Sequence, residues 1–158
     1  MAQEPQEQQQ SVSQVVVFQL DKELYGADIA VVREVTPLQR VTKVPRTPKF
    51  IEGVINLRGR VIPVIDLRKR LGLPVGPITK STRIAVGEID GDQVGMLVDA
   101  VHEVVRVPAE AVEPPSPMFA KIDSENILGI AKMDDRLITL LDLARILVRE
   151  ERKAAVTP

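Results

Sequence analysis

The sequence predicts a mainly β protein made of two similar barrels of about five strands each, with short helices and a C-terminal helix. Three observations carry this. Val and Ile dominate from residue 15 onward, with 23 Val in the chain, and β-branched residues fit a pleated, half-buried surface. Apolar runs come in pairs separated by short polar turns, the pattern of hairpins. The second half also repeats the first at nearly constant offset.

The elements follow in order. Residues 15–20 read as a strand, Asp21-Lys22-Glu23 as its turn and 24–27 as the returning strand. Asp28 is placed to cap a short helical turn, because Ile29, Val31, Val32 and Val35 have helical spacing. Residues 38–44 alternate in part and read as a strand, and Thr47-Pro48 can start a short helix. Residues 53–57 and 61–65 are strands joined at Arg58-Gly59-Arg60. Pro63 has no N–H to donate, which predicts an edge strand or a bulge there. Asp66 can cap a helix over 67–71 that Gly72 ends, and 73–80 is a linker. Residues 84–89 and 93–98 form a hairpin about Asp90-Gly91, and 109–117 is Pro-rich and irregular. Residues 127–133 and 137–141 form another hairpin, after which Asp142 opens a final helix through about 149.

The repeat is specific. At offset 69, Tyr25-Gly26 matches Val94-Gly95, and Val32-Arg33-Glu34-Val35 matches Val101-His102-Glu103-Val104. At offset 76, Gly53 matches Gly129, Arg60 matches Arg136 and Asp66 matches Asp142. The Pro-rich stretch can hold the seven extra residues. The expected organisation is a disordered tail over 1–14 and a domain over 15–150. That domain divides into a first barrel at 15–78 and a second at 79–150, with strands free to cross, and 151–158 is a flexible tail. Each half is small and depends on the other for burial.

Composition excludes several classes. There is no Cys, which removes disulfides, thiolate catalysis and zinc-thiolate sites, and the one histidine, His102, cannot make a multi-histidine metal site. No metal or cofactor is expected. The net charge of −1 and the 3% aromatic content are not those of a nucleic-acid binder. No apolar run is long enough to span a membrane, and the Gln-rich N-terminus is no signal peptide.

Catalytic arrangements fare no better. Ser occurs at 11, 13, 81, 116 and 124, in tail or loop segments, and no P-loop motif exists. The sharpest enzyme reading pairs Asp66 with Asp142 as an acid dyad in a small aspartate-dependent hydrolase. Each precedes a helical segment, so helix capping is the better role. Arg58, Arg60, Arg68, Lys69 and Arg70 form a basic cluster suited to phosphate, although turn tips and helix backs need solvated charge anyway. His102 reads as a surface or subdomain-interface residue rather than a catalytic one.

The stretch G-V-I-N-L-R-G-R-V-I-P-V-I-D-L-R-K-R-L-G, residues 53–72, resembles the signature of the CheW family, the coupling proteins of bacterial chemotaxis. The resemblance continues through L-Y-G-A-D-I-A-V-V-R-E-V at 24–35, V-G-M-L-V-D-A-V-H-E-V at 94–104 and the hairpin at 127–143. It implies two SH3-like barrel subdomains and no enzymatic activity. It also implies a cytoplasmic adapter, recruited to membrane receptor arrays without inserting in the membrane. Its partners would be methyl-accepting chemoreceptor tips and the regulatory domain of the histidine kinase CheA. The same resemblance assigns Val32, Glu34, Val35 and Arg58 to a receptor-facing groove and places the kinase surface in the second barrel, between Val94 and Val107. Within the repeat, Arg58 falls opposite Asp134 and so has no arginine counterpart. That marks it, rather than Arg60, for work specific to one barrel.

Overall fold

Hairpins with polar tips dominate the chain, and their tips show why these residues turn. Arg58 (φ 52°) and Gly59 (φ 86°), like Asp134 (φ 49°) and Asp135 (φ 64°), are both left-handed. Two-residue hairpins favour that geometry because it matches the strand twist. The structure, a computed structural model, describes residues 12–116 and 122–147. Strands β1 (Val12–Leu20), β2 (Glu23–Asp28) and β3 (Val32–Pro37) lead to the hairpin β4 (Ile51–Leu57) and β5 (Arg60–Asp66), then helix α1 (Leu67–Leu71). Next come β6 (Arg83–Ile89), β7 (Asp92–Val98), β8 (Ala100–Pro108), β9 (Val112–Glu113), β10 (Ile127–Met133), β11 (Arg136–Leu141) and helix α2 (Leu143–Ile146).

The strands form two sheets, ordered β8-β1-β2-β11-β10-β9 and β3-β6-β7-β5-β4. Sheet membership does not follow a division at residue 78. The hairpin β1–β2 lies with β8–β11, and β6–β7 lies with β3–β5, so the two repeats exchange their first hairpins. Parallel pairs close the exchange. Val64 pairs with Gly95 between β5 and β7, and Leu140 with Gly26 between β11 and β2, the same pair under the repeat offsets. The correspondence reaches single hydrogen bonds: Asp66 N–H donates to the Phe50 carbonyl at 2.8 Å, and Asp142 N–H to the Asn126 carbonyl at 2.9 Å.

Three apolar clusters follow. Val15, Val17, Val107, Ala131 and Ile138 fill the barrel of the larger sheet, and Ile55, Ile62, Val64, Ile84 and Val86 fill the other. The most extensive cluster lies between the barrels and joins Phe18, Leu20 and Tyr25 to Ile65, Met96 and Val98, with Leu71, Leu143 and Ile146 from the helices. Strands such as β1 and β7 are therefore buried on both faces, which explains their near-continuous apolar runs.

Several expected elements differ. Residues 32–37 form β3, not a helical turn, because pairing with β6 outweighs the helical spacing, and Asp28 Oδ1 accepts the Ala30 N–H at 2.8 Å without opening a helix. The strand expected at 38–44 reduces to one bridge, Thr42 to Val54, and 47–48 lies in turn and irregular backbone rather than a helix. Pro63 sits in an interior strand. This is tolerated because the ladder to β7 begins one residue later, at Val64. The nine-residue β8 has an irregular burial pattern that alternation does not reveal. The expected tail at 1–14 is shortened by β1, which starts at Val12, and its remainder lies outside the described residues, as do 151–158 and the helix beyond residue 147.

Gly53 has φ 146°, and a Cβ there would lie 2.1 Å from the Thr42 carbonyl oxygen, whereas Gly72 has φ 74° and open space around it. Gly53→Ala should therefore cost more than about 2 kcal/mol and Gly72→Ala about 1 kcal/mol in urea unfolding. Equal losses at the two sites would show that Thr42 yields.

Candidate functional site

The two edges of the five-stranded sheet meet through one ion pair. Glu34 lies on β3 and Arg58 at the tip of the β4–β5 hairpin, at opposite ends of the strand order. Arg58 Nη1 donates to Glu34 Oε2 at 3.1 Å, and Nη2 donates to Oε1, so the pair is bidentate. The left-handed turn aims Arg58, and Asn56 Oδ1 holds that turn by accepting the Gly59 N–H at 2.8 Å. Positive φ on a residue other than Gly, Asn or Asp is uncommon, and it is retained here at a turn that sends an arginine across the barrel mouth. The register of β3 on β6 shifts between Val32 and Glu34, a bulge of the kind that re-aims side chains.

The residues assigned to a receptor face are not all brought together. Val35, at 40% exposure, and the Glu34–Arg58 pair lie at the surface. Val32 is buried in the central cluster and offers no side chain to a partner. The stretch from Val94 to Val107 also divides. Val94–Val98 is buried in β7 at the middle of the five-stranded sheet, whereas β8 is an edge strand with His102, Glu103, Val104 and Arg106 exposed.

That second edge carries what sequence reasoning missed. Glu103 on β8 accepts from Arg136 Nη1 at 2.8 Å. Glu103 is the repeat counterpart of Glu34, and Arg136 enters from the equivalent hairpin two residues further along than Arg58 would. Arg58 therefore does have a structural counterpart, reached from a shifted position. Val104, 49% exposed, matches Val35. The neighbouring contacts match too: Arg33 pairs with Glu88 at 3.8 Å, and at the equivalent positions His102 Nε2 lies 3.2 Å from Gln19 Oε1. The signal was in the sequence, since Glu34 and Glu103 align. Only the offset of the two arginines hid it.

The remaining candidates are occupied otherwise. Asp66 accepts the N–H groups of Arg68 and Lys69, and Asp142 accepts that of Arg145, so both are helix caps rather than a dyad. The basic cluster does not form one patch. Arg68 is buried, Lys69 reaches Glu52 at 2.7 Å, and the Arg70 guanidinium lies 5.3 Å from the centre of the Phe50 ring. No helix among the described residues is long and apolar enough to cross a membrane.

A family model of the CheW-like domain matches residues 14–151. The chain belongs to the CheW family. It is 36% identical over 142 residues to the chemotaxis protein CheW of Bacillus subtilis, covering 90% of this chain and 91% of that one. It is 35% identical to CheW of Thermotoga maritima over 85% of this chain and 87% of that protein. The crystal structure of the scaffolding protein TtCheW from Thermoanaerobacter tengcongensis superposes with a TM-score of 0.80 at 46% identity, over 88% of this chain and 90% of that one. CheW proteins are scaffolds of chemotaxis rather than enzymes, and this chain shares that role and their fold of two SH3-like subdomains.

The hydrogen bonds from Arg58 hold the Glu34 carboxyl below the usual carboxylate range, against a smaller opposing effect of desolvation. The same bonds raise the Arg58 pKa. Because the folded value of Glu34 is depressed, the pair's contribution is in place above the ordinary carboxylate pKa and is lost as pH falls through the depressed one. In a carbon-13 NMR titration, Glu34 should ionise below the usual carboxylate range, and Arg58→Ala should return it to that range with little change in melting temperature. An unchanged Glu34 titration in that variant would show that the pair does not persist in solution.

Proposed function

We propose that the chain couples the cytoplasmic tips of methyl-accepting chemoreceptors to the regulatory domain of the histidine kinase CheA, from a cytoplasmic position at membrane receptor arrays. One observation supports this reading most. The fold presents two equivalent edge strands, β3 and β8, each with a Glu–Arg pair and an exposed Val beside it. Exposed edges invite pairing with another chain, and a scaffold with two partners needs two such faces. Val35 supplies apolar contact to the receptor's helical tip, and Glu34 and Arg58 set register, because charged groups at an interface contribute more to specificity than to affinity. Val32 supports this edge from the core. The kinase face is on β8, around Glu103 and Val104.

Kinase activity reconstituted from receptor and CheA should rise when this protein is added. Glu34→Lys should abolish receptor pull-down while leaving the melting temperature nearly unchanged, since the residue is at the surface. Arg58→Ala should weaken assembly of the receptor–kinase complex. Full kinase activation by either variant would remove these residues from the receptor face.

A further inference from the structure

Both repeats have a short helix capped by an aspartate, and among the described residues only the first of them buries a charge behind it. Arg68, on α1, is 3% exposed. Its Nε and Nη2 donate to the two carboxylate oxygens of Asp66, at 3.1 and 3.0 Å. Its Nη1 donates to Asp99 Oδ1 at 2.7 Å and to the Gly76 carbonyl at 3.2 Å. Asp66 ends β5, and Gly76 belongs to the segment between α1 and β6. Asp99 sits where the chain leaves β7 in one sheet for β8 in the other. Its Oδ2 accepts the Asp21 N–H at the β1–β2 turn, at 2.6 Å, and its own N–H donates to the Gln19 carbonyl at 3.0 Å. One guanidinium thus links the end of one barrel, through one carboxylate, to the turn of the other.

The repeat supplies an internal control. Its offsets carry Arg68 onto Ala144 and Asp99 onto Ala30, and both alanines are exposed. The second junction has the equivalent helix, cap and crossing segment, yet no buried charge among the described residues. A clamp found at one of two equivalent junctions is not something the fold requires. Nor is it the main source of cohesion, because the shared apolar core already holds the barrels together. Apolar burial is non-directional. A buried ionic network has directional bonds and a large penalty for leaving any member unpaired, so it selects one arrangement more than it stabilises it. Hydrogen bonds donated to Asp66 also raise the Arg68 pKa, against the opposing effect of burial.

We propose that Arg68 is a positioning residue that fixes the angle between the two barrels, and with it the geometry in which the two partner faces are presented. The first half stands on the network alone; the second rests on the two-face reading above.

The chain has no cysteine, so spin labels can be placed cleanly at Arg60→Cys in one sheet and Arg106→Cys in the other, both exposed positions. The combined variant Asp66→Asn, Arg68→Met, Asp99→Asn removes every charge of the network while keeping acceptors at the helix cap and at the Asp21 N–H. Its label-to-label distance distribution should broaden or shift relative to the labelled parent. Its binding to receptor alone and to CheA alone should persist, and its activation of the kinase in the three-component mixture should fall. A distribution identical to the parent's overturns the clamp. An altered distribution with full kinase activation keeps the clamp and overturns its link to partner geometry. If the combined variant does not fold, Arg68→Lys decides, because lysine keeps the charge but not the planar fork. A shifted distribution there supports the clamp, and an unchanged one overturns it.

Discussion

The parallel pairing of β5 with β7 and of β2 with β11 is the constraint on which the rest of the molecule depends. Each pair inserts the first hairpin of one repeat into the sheet of the other, so neither barrel is complete without residues from both halves of the chain. The exchange puts β1 and β7 between a barrel interior and a shared central cluster. A fully buried Leu, Ile or Phe contributes about 1.5–3 kcal/mol. A core containing Phe18, Leu20, Ile65, Leu67, Met96 and Ile146 therefore outweighs anything the exposed ion pairs add to stability. That leaves the surface charges free to be chosen for recognition.

The same division explains why the acidic residues perform no chemistry. Asp66 and Asp142 occupy the positions where a duplicated fold brings identical residues into equivalent places, and a symmetric acid pair would need that. Both are engaged by the N–H groups of the helices they open. Asp66 in addition accepts two bonds from Arg68. Each aspartate thus has a structural role at the start of its helix, and Asp66 is further tied to Arg68. Among the exposed features are two equivalent strand edges with salt-bridged rims, which suits a protein that holds others in place.

Much of this was legible in the chain, for identifiable reasons. Hairpin tips, the Asp66 cap and the Gly72 stop are local signals, set by φ and by the first free N–H groups of a helix, and they appear where the residues point. The repeat was legible because Gly53 and Gly129 stand where a side chain would collide with a crossing segment, Thr42 in one half and Val112 in the other. What failed were elements whose identity is decided at long range. Residues 29–35 have helical spacing, and only the ladder to β6 makes β3 a strand. Pro63 argued for an edge or a bulge, and only the start of the β7 ladder just after it lets the residue sit in an interior strand. Exchange of hairpins between repeats leaves no local trace, since either partner would bury the same apolar faces. Val32, next to the exposed Arg33, looked as available as Val35, and burial from the far side of the sheet decides otherwise.

Duplication creates two faces of one design, and partner discrimination must come from where the copies differ. Those differences are concentrated at a few positions. The edge at β3 carries two ion pairs, Arg33–Glu88 and Glu34–Arg58. The edge at β8 replaces the first by the contact of His102 with Gln19 and keeps the second as Glu103–Arg136. Arg58 projects from within a left-handed turn and Arg136 from the first residue beyond one, so the two guanidinium groups approach their glutamates from different points on equivalent hairpins. On the adapter reading, two partners facing the same framework meet different charge and different geometry. Neither then competes well for the other's edge, although the backbone beneath both is nearly the same.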